Sequence, residues 1–405
     1  MEKGLLIILF LGCLILPASP AVANIFLLIF GGGVIINAGI RRTITFKKDW
    51  LQLFILPSFF FFWMLIGALF SPYKKEAFGL VEIAIPYLLL SLAYIVASKP
   101  LKEKALRIIP SGLIAGVVVS LSYLFISIFV KFYKVGDDSI LTLFSHEYTY
   151  YSFISPISTH PTYFTIWILI ANYFVFTSKT FKVPIKILLL TFFFAGLFFT
   201  MSRVGLFLYG LQIIAIFFYL SKKGKIIYGV GMVTFLLIGI YLYNYQLRNF
   251  YVLQRLSIEL AWDTNPENKE SEVNNRVADD SRIARWTSIW EYIKEKPVLG
   301  YGVGSERSTL DRAYKDHSLE ISLERKYNTH NQYLFYLVEQ GAVGLILLLS
   351  YFGINIVTAF KRKDFFLISF IIGVMMVFIF ENYMYRSMGY LTIALLLTFM
   401  RKPEK

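Results

Sequence analysis

Apolar and polar residues alternate along this chain in long blocks. Twelve apolar runs stand out, at about 4–18, 21–40, 51–70, 80–97, 108–130, 163–176, 187–200, 204–220, 226–243, 333–360, 365–380 and 388–400. Many have the roughly 17–25 residues that a helix needs to cross a ~30 Å hydrocarbon layer. The pattern predicts an all-α polytopic integral membrane protein with about 12 transmembrane helices. A long polar segment, 244–331, separates the ninth run from the tenth and predicts one large outer loop. The chain therefore divides into 1–243 with spans one to nine, 244–331 as the loop, and 332–405 with spans ten to twelve.

The charges between the runs set an orientation. Short cytoplasmic loops retain lysine and arginine. The two termini and the connections at 41–50, 98–107, 179–186, 222–225 and 361–364 carry 21 of the chain's 40 basic residues. The same segments hold only five acids, Glu2, Asp49, Glu103, Asp364 and Glu404. Every second connection is basic, which puts both termini in the cytoplasm. It puts 131–161, Arg203, 244–331 and 381–387 on the outer face, where ATP is absent. Met1-Glu2-Lys3 and the apolar run after it resemble a signal peptide, with Pro20-Ala21-Val22-Ala23 like a cleavage region. A second apolar run follows at once, so the first is read as a retained span.

Composition agrees with this picture and removes other classes. Hydrophobic residues make up 57% of the chain and charged residues 16%, against roughly 25% charged in a soluble protein. The net charge of +14 is topological, so it gives nucleic-acid binding no separate support. The one cysteine, Cys13, lies in the first apolar run and permits no disulfide framework and no Cys-based metal site. The outer face lacks the spacing that collects metal ligands. Gly300-x-Gly302-x-Gly304 is no phosphate loop, because the Lys-Ser/Thr is missing. There is no G-x-S-x-G elbow.

Within the outer segment, 263–280 reads as loop, and a helix is predicted after it. Ile283, Trp286, Trp290 and Ile293 fall on one helical face, with Asp280 or Ser281 as N-cap. That face is expected on the bilayer surface, where tryptophan belongs. Pro297-Val298-Leu299-Gly300-Tyr301-Gly302-Val303-Gly304 then breaks the helix. Arg282 and Arg285 lie in its first turn, where the helix dipole disfavours cations and a bound phosphate would offset the disadvantage. Arg203 sits in a tight turn between two apolar runs, beside only Thr200 and Ser202. An arginine so placed either contacts a ligand or lines a cavity, or snorkels to headgroups. Its planar fork matches phosphate oxygens.

His330 stands where the polar segment meets the tenth run, with Asn331 as its expected hydrogen-bonding partner. A largely neutral imidazole there can accept a proton from a hydroxyl. The bland alternative is an interfacial histidine that caps the helix. His160 opens the sixth run on the same face and either helps to bind substrate or only caps a helix. His146 and His317 are expected to be solvated. Arginines with one histidine and no metal ligands fit displacement of a phosphate leaving group.

These residues carry a resemblance. Ser202-Arg203 at a hairpin is similar to the Ser-Arg-Gly turn of the O-antigen ligase and polymerase (Wzy-C-like) superfamily, with Val204 in place of the small glycine. Arg282-x-x-x-Trp286 with Pro297 to Gly302 resembles that family's Arg-x-x-x-Trp and Pro-x-x-Gly-x-Gly run. His330-Asn331-x-Tyr333-Leu334 with Gly341-x-x-Gly344 resembles its closing motif. The resemblance covers roughly 187–358 and implies a GT-C-like membrane glycosyltransferase of lipopolysaccharide biosynthesis in the inner membrane. It implies no cofactor, a glycan donor on undecaprenyl diphosphate, and a sugar hydroxyl of lipid A–core as acceptor. Arg203 and Arg282 would hold the diphosphate, and His330 would deprotonate the acceptor for an inverting attack. Arg285, His160, Asn331 and Tyr333 would be secondary contacts. A polymerase joining undecaprenyl-linked repeat units shares these motifs and is the nearest alternative. A transferase to protein and a polysaccharide transporter stand further off, since the runs show no internal repeat and few ionisable residues.

Overall fold

The computed structural model describes residues 1–41, 51–136, 139–219 and 281–401. The ninth apolar run, residues 244–280 of the polar segment, and most of the basic loops at 41–50 and 222–225 lie outside them. All regular structure among the described residues is helical. The α-helices of five or more residues are α1 (Glu2–Ile15), α2 (Pro20–Arg41), α3 (Leu56–Phe70, after a π turn at Leu51–Ile55), α4 (Lys74–Val96) and α5 (Lys99–Val135). They continue with α6 (Pro161–Thr177), α7 (Val183–Thr200), α8 (Arg203–Tyr219), α9 (Arg282–Glu295), α10 (Glu306–Asp316) and α11 (Glu320–Glu324). The last three are α12 (Gln332–Lys361), α13 (Phe365–Phe380) and α14 (Ser387–Phe399).

Eleven of the twelve apolar runs fall on these helices, although α4 and α5 begin six and nine residues ahead of their runs. Among the described residues, six helices are long and apolar enough to cross a membrane: α2, Leu53–Phe70, α4, α5, α7 and α12. Shorter apolar helices are α6, Arg203–Ile214, α13 and α14. Glu82, exposed within α4, is an ionisable residue that reading the apolar runs overlooks.

Two compact units divide the described residues. The first contains Met1–Leu16, Pro20–Gly112 and 281–401. Its centre is α14, whose residues from Met388 to Phe399 are all buried, as a helix apolar on every side must be. Around it an aromatic cluster joins four helices. Tyr87 of α4 meets Tyr351 of α12 and Tyr390 of α14 at 5.2 and 5.9 Å, and Phe60 of α3 meets Tyr336 of α12 at 5.5 Å. The Tyr336 and Tyr390 hydroxyls share a hydrogen bond of 3.1 Å, so a polar pair inside an apolar cluster is satisfied.

The second unit contains Pro17–Ser19 and 113–219 of the described residues. Here α6 is buried along most of its length and is tied to α8 by side-chain amides. Asn172 donates to Gln212 at 2.9 Å, and Gln212 donates to the Leu169 carbonyl at 2.8 Å.

The segment 281–331 belongs to the first unit and is joined to α12 at a break in that helix. Gly341 has φ 62° and ψ −160°, so the i→i−4 bonds across it are lost. Four backbone groups would be stranded: the Val338 and Glu339 carbonyls and the Ala342 and Val343 N–H groups. The Pro297–Gly302 loop takes all four. Tyr301 and Gly302 N–H donate to Val338 and Glu339 at 2.7 and 3.0 Å. Ala342 and Val343 N–H donate to Pro297 and Val298 at 2.8 and 3.3 Å. The accounting that buried backbone demands is thus closed. Gly300 and Gly341 are required by this contact. A Cβ on Gly300 would stand 2.5 Å from the Val338 oxygen, and one on Gly341 would stand 2.3 Å from the Val298 carbonyl. The same loop reaches the end of α3, where Ser71 Oγ donates to the Val303 carbonyl at 2.6 Å.

Candidate active site

The chain approaches α12 through Asn328-Thr329-His330-Asn331. Asn331 is the N-cap: its side-chain oxygen accepts from Tyr333 and Leu334 N–H at 3.0 and 3.1 Å, satisfying two groups that a helix start leaves unpaired. Asn331 was expected to partner His330 and instead caps the helix. Tyr333 turns away too, its hydroxyl donating to the Met375 carbonyl at 2.8 Å.

His330 itself has φ 45°, a left-handed conformation that costs a non-glycine residue roughly 1–2 kcal/mol. Both of its neighbours are pinned. Trp286 Nε1 donates to the Thr329 carbonyl at 2.8 Å, and Asn331 N–H donates to Asn382 Oδ1 at 2.8 Å. The His330 N–H donates to Asn328 Oδ1 at 3.0 Å. The imidazole therefore emerges from a fixed turn, about a quarter exposed. Its Nδ1 lies 3.4 Å from Glu381 Oε2, the first residue after α13, and the Tyr327 ring stands edge-on to it at 6.3 Å.

Beneath the turn is a buried acid. Glu306, at the start of α10, accepts the Thr329 hydroxyl at 2.8 Å, the Thr329 N–H at 3.2 Å and the Asn382 amide at 2.8 Å. Burial pushes its carboxyl above the usual carboxylate range, against the downward pull of the Thr329 and Asn382 hydrogen bonds and of charge on His330. Glu306, Thr329 and Asn382 are all nearly inaccessible. This polar knot binds α10, the turn before α12 and the connection after α13 into one frame.

Of the two candidate arginines on α9, the frame takes each differently. Ser281 is the N-cap, accepting from Ala284 N–H at 3.2 Å. Arg282, half-buried, donates from Nη1 to the Phe380 carbonyl at 3.4 Å. It therefore stands at the same end of α13 that carries Glu381. Arg285 is 5% exposed and lies over the Tyr327 ring at 4.9 Å, behind the ring that faces His330. The expected apolar face of this helix is split. Ile289 and Ile293 are buried with Leu310, Tyr314 and Val338, whereas Ile283 and Trp290 are exposed. The helix has a protein core under one side, and packing against α10 and α12 sets that side rather than the tryptophan spacing. His317, expected to be solvated without partners, lies 3.2 Å from Glu291 Oε2 through Nε2.

His160 and Arg203 lie in the second unit, where a Ser202–Thr162 hydrogen bond links the segments that carry them. His160 is the N-cap of α6, its Nδ1 accepting from Thr162 N–H at 3.3 Å. Ser202 Oγ donates to Thr162 Oγ1 at 3.2 Å and itself accepts from Gly205 N–H at 3.1 Å. Arg203, partly buried, opens α8 two residues after a left-handed Met201. The small residue this hairpin needs is Gly205, where a Cβ would stand 2.1 Å from Thr165 Cγ2. Val204 is tolerated because the close approach is one residue later.

His330, Arg282 and Glu381 are thus gathered at the α13–α14 connection, and Arg285, Asn331 and Tyr333 are held within the frame around them. The sequence pointed to neither Glu306 nor Glu381. The one available signal for Glu381 was an acid directly after an apolar run, on the face assigned to His330. Among the described residues no group of three or more His, Cys, Asp or Glu is arranged to hold a metal ion. Chemically, a carboxylate on Nδ1 fixes the tautomer of an imidazole and leaves Nε2 as a proton acceptor.

At one end of its apolar helices this chain thus sets a histidine–carboxylate pair near an arginine, the elements of acid–base chemistry. Residues 187–349 are similar to a family model described as O-Antigen ligase. The match implies a glycosyltransferase-like enzyme whose partners are in general a lipid-linked glycan and a lipid acceptor. No curated protein matches the chain.

Proposed function

We propose that the chain is an O-antigen ligase. It transfers a glycan from undecaprenyl diphosphate to a sugar hydroxyl of lipid A–core, on the periplasmic face of the inner membrane, with inversion and without metal or nucleotide. The reading includes twelve spans, both termini cytoplasmic, and 244–331 as the periplasmic loop. The observation that supports it is the pairing of His330 with Glu381 beside Arg282.

In this reading the acceptor hydroxyl gives its proton to His330 Nε2. Its oxygen forms a bond to the anomeric carbon as the bond from that carbon to the diphosphate breaks, with the electron pair leaving on the diphosphate. Glu381 steadies the imidazolium that forms. Arg282 and Arg203 hold the diphosphate and neutralise the charge developing on it, which is the larger part of the task when the leaving group is already good. Asn331 and Tyr333 act as structural supports of His330, and His160 caps the helix that holds Thr162 against Ser202.

The test is deletion of the gene followed by electrophoresis of surface polysaccharide. A ligase defect leaves long undecaprenyl-linked chains and bare lipid A–core. A defect that instead leaves single repeat units attached to lipid A–core assigns the chain to polymerisation.

A further inference from the structure

Val298 and Leu299 are 59% and 60% exposed, yet their loop is fastened to α12 by four backbone hydrogen bonds across the Gly341 break. An exposed apolar pair is therefore held at one level of a helix long and apolar enough to cross a membrane. That level can be read from α12. Its last residue opens the charged run Lys361-Arg362-Lys363-Asp364, which stays out of hydrocarbon. About 20 residues at 1.5 Å each cross a ~30 Å hydrocarbon layer, and counting back from Lys361 reaches Gly341 and Ala342. The loop is hydrogen-bonded to α12 where the helix enters the hydrocarbon.

The surroundings agree with that level. Exposed apolar side chains on α12 begin just beyond the break with Ile346 and Leu349, so Val298 and Leu299 extend the same kind of surface. The other end of the loop meets Ser71, next to Phe70, which is 85% exposed at the end of a second candidate span. From Pro297 to Ser305 the loop carries no charge. The nearest charge, Lys296, is drawn back over the Tyr301 ring at 4.7 Å.

We propose that Pro297, Val298 and Leu299 form a wedge that dips into the acyl region of the lipid leaflet, and that phospholipid is its partner. The wedge fixes the height of the segment that carries His330. Only Gln332 to Gln340 separate that turn from the break, a rise of at most about 15 Å, so the imidazole is kept close to the headgroup layer.

The experiment needs no assay of glycan transfer and so stands apart from the proposed activity. Cys13, the one cysteine of the chain, is buried. In a Cys13→Ala background, Leu299→Cys is labelled with bimane, with Lys315→Cys, exposed on α10, as control. The full chain is reconstituted in phosphatidylcholine vesicles with and without 5-doxyl phosphatidylcholine. The expected result is blue-shifted emission at 299 that the doxyl lipid quenches, and water-like, unquenched emission at 315. Water-like emission at 299 overturns the proposal. So does a blue shift at 299 without doxyl quenching, and 299-to-299 crosslinking then assigns the surface to a second copy of the chain.

Discussion

The imidazole of His330 and the carboxylate of Glu381, 51 residues apart, meet with Nδ1 and Oε2 separated by 3.4 Å. The contact is built by the backbone of their neighbours, since Asn331 N–H donates to Asn382 Oδ1 at 2.8 Å. Two consecutive residues on each strand of chain are thus paired, which fixes the ring as well as its partner. His330→Ala should lower transfer by about 10²–10⁴-fold, the usual contribution of general-base help, with membrane insertion and protein level unchanged. Glu381→Gln should cost roughly 10–100-fold, as loss of an orienting carboxylate does elsewhere. Transfer assayed with a lipid-linked donor decides both. Full activity of the alanine variant would remove His330 from the base role, and full activity of the glutamine variant would make the contact merely structural.

Arg282 and Arg285, three residues apart, should behave as opposites. Arg282 is half-buried at the Phe380 carbonyl, beside the His330–Glu381 pair. Lysine cannot reproduce its planar fork, and a hydrogen bond to a charged group is worth roughly 1.5–3 kcal/mol. Arg282→Lys should therefore weaken transfer by about 10- to 150-fold, and Arg203→Lys should lose most activity for the same reason. Arg285 is buried against Tyr327, so Arg285→Lys should lower thermal stability while leaving the donor KM near the wild-type value. A large rise in KM in that variant would return Arg285 to the diphosphate.

Much of this arrangement was open to reading. Apolar runs gave the helices because the hydrocarbon layer sets a length that residue counting can measure, and motif spacing pointed to Arg282 and His330. The frame around them was hidden for a physical reason. Glu306, Thr329, Asn382 and Glu381 are held by contacts across 23 to 76 positions, and no local periodicity encodes such pairings. The face of α9 was misjudged on similar grounds: Trp290 has interfacial character, but Ile289 and Ile293 had a core to fill. Asn331 could have been recognised as a cap, since an asparagine directly before an apolar helix is a start signal.

Glu306 makes stability depend on pH in a definite direction. Burial raises its carboxyl above the usual range, so the folded protein holds a proton that the unfolded chain has released. Stability from this group is fully present below the unfolded value of about 4.3. It falls as pH rises from there through the folded value, and is constant above it. Glu306→Gln keeps an acceptor for Thr329 and Asn382 but does not ionise. Its melting temperature in detergent should match wild type near pH 4, exceed it increasingly as pH rises, and level off above the folded value. A difference that stays flat with pH would show that Glu306 is not the titrating group. Glu306→Ala strands the Thr329 and Asn382 donors, each at roughly 1–3 kcal/mol, and should be destabilised at every pH.

Gly341 concentrates the junction between the loop and α12 into one residue. Its φ of 62° strains any other side chain by roughly 1–3 kcal/mol. A Cβ would also stand 2.3 Å from the Val298 carbonyl, and backbone held by hydrogen bonds on both sides has no rotamer to yield. Gly341→Ala must then push the loop away, opening bonds from Pro297, Val298, Tyr301 and Gly302, each worth roughly 1 kcal/mol while satisfied. Gly353 in the same helix has open space at its Cβ, so Gly353→Ala should be neutral or gain up to ~1 kcal/mol from helix propensity. Thermal melts of the two variants in one detergent separate the effects. A melting temperature of Gly341→Ala equal to that of Gly353→Ala would mean that the loop is not fastened to the break, and that His330 owes its height to something else.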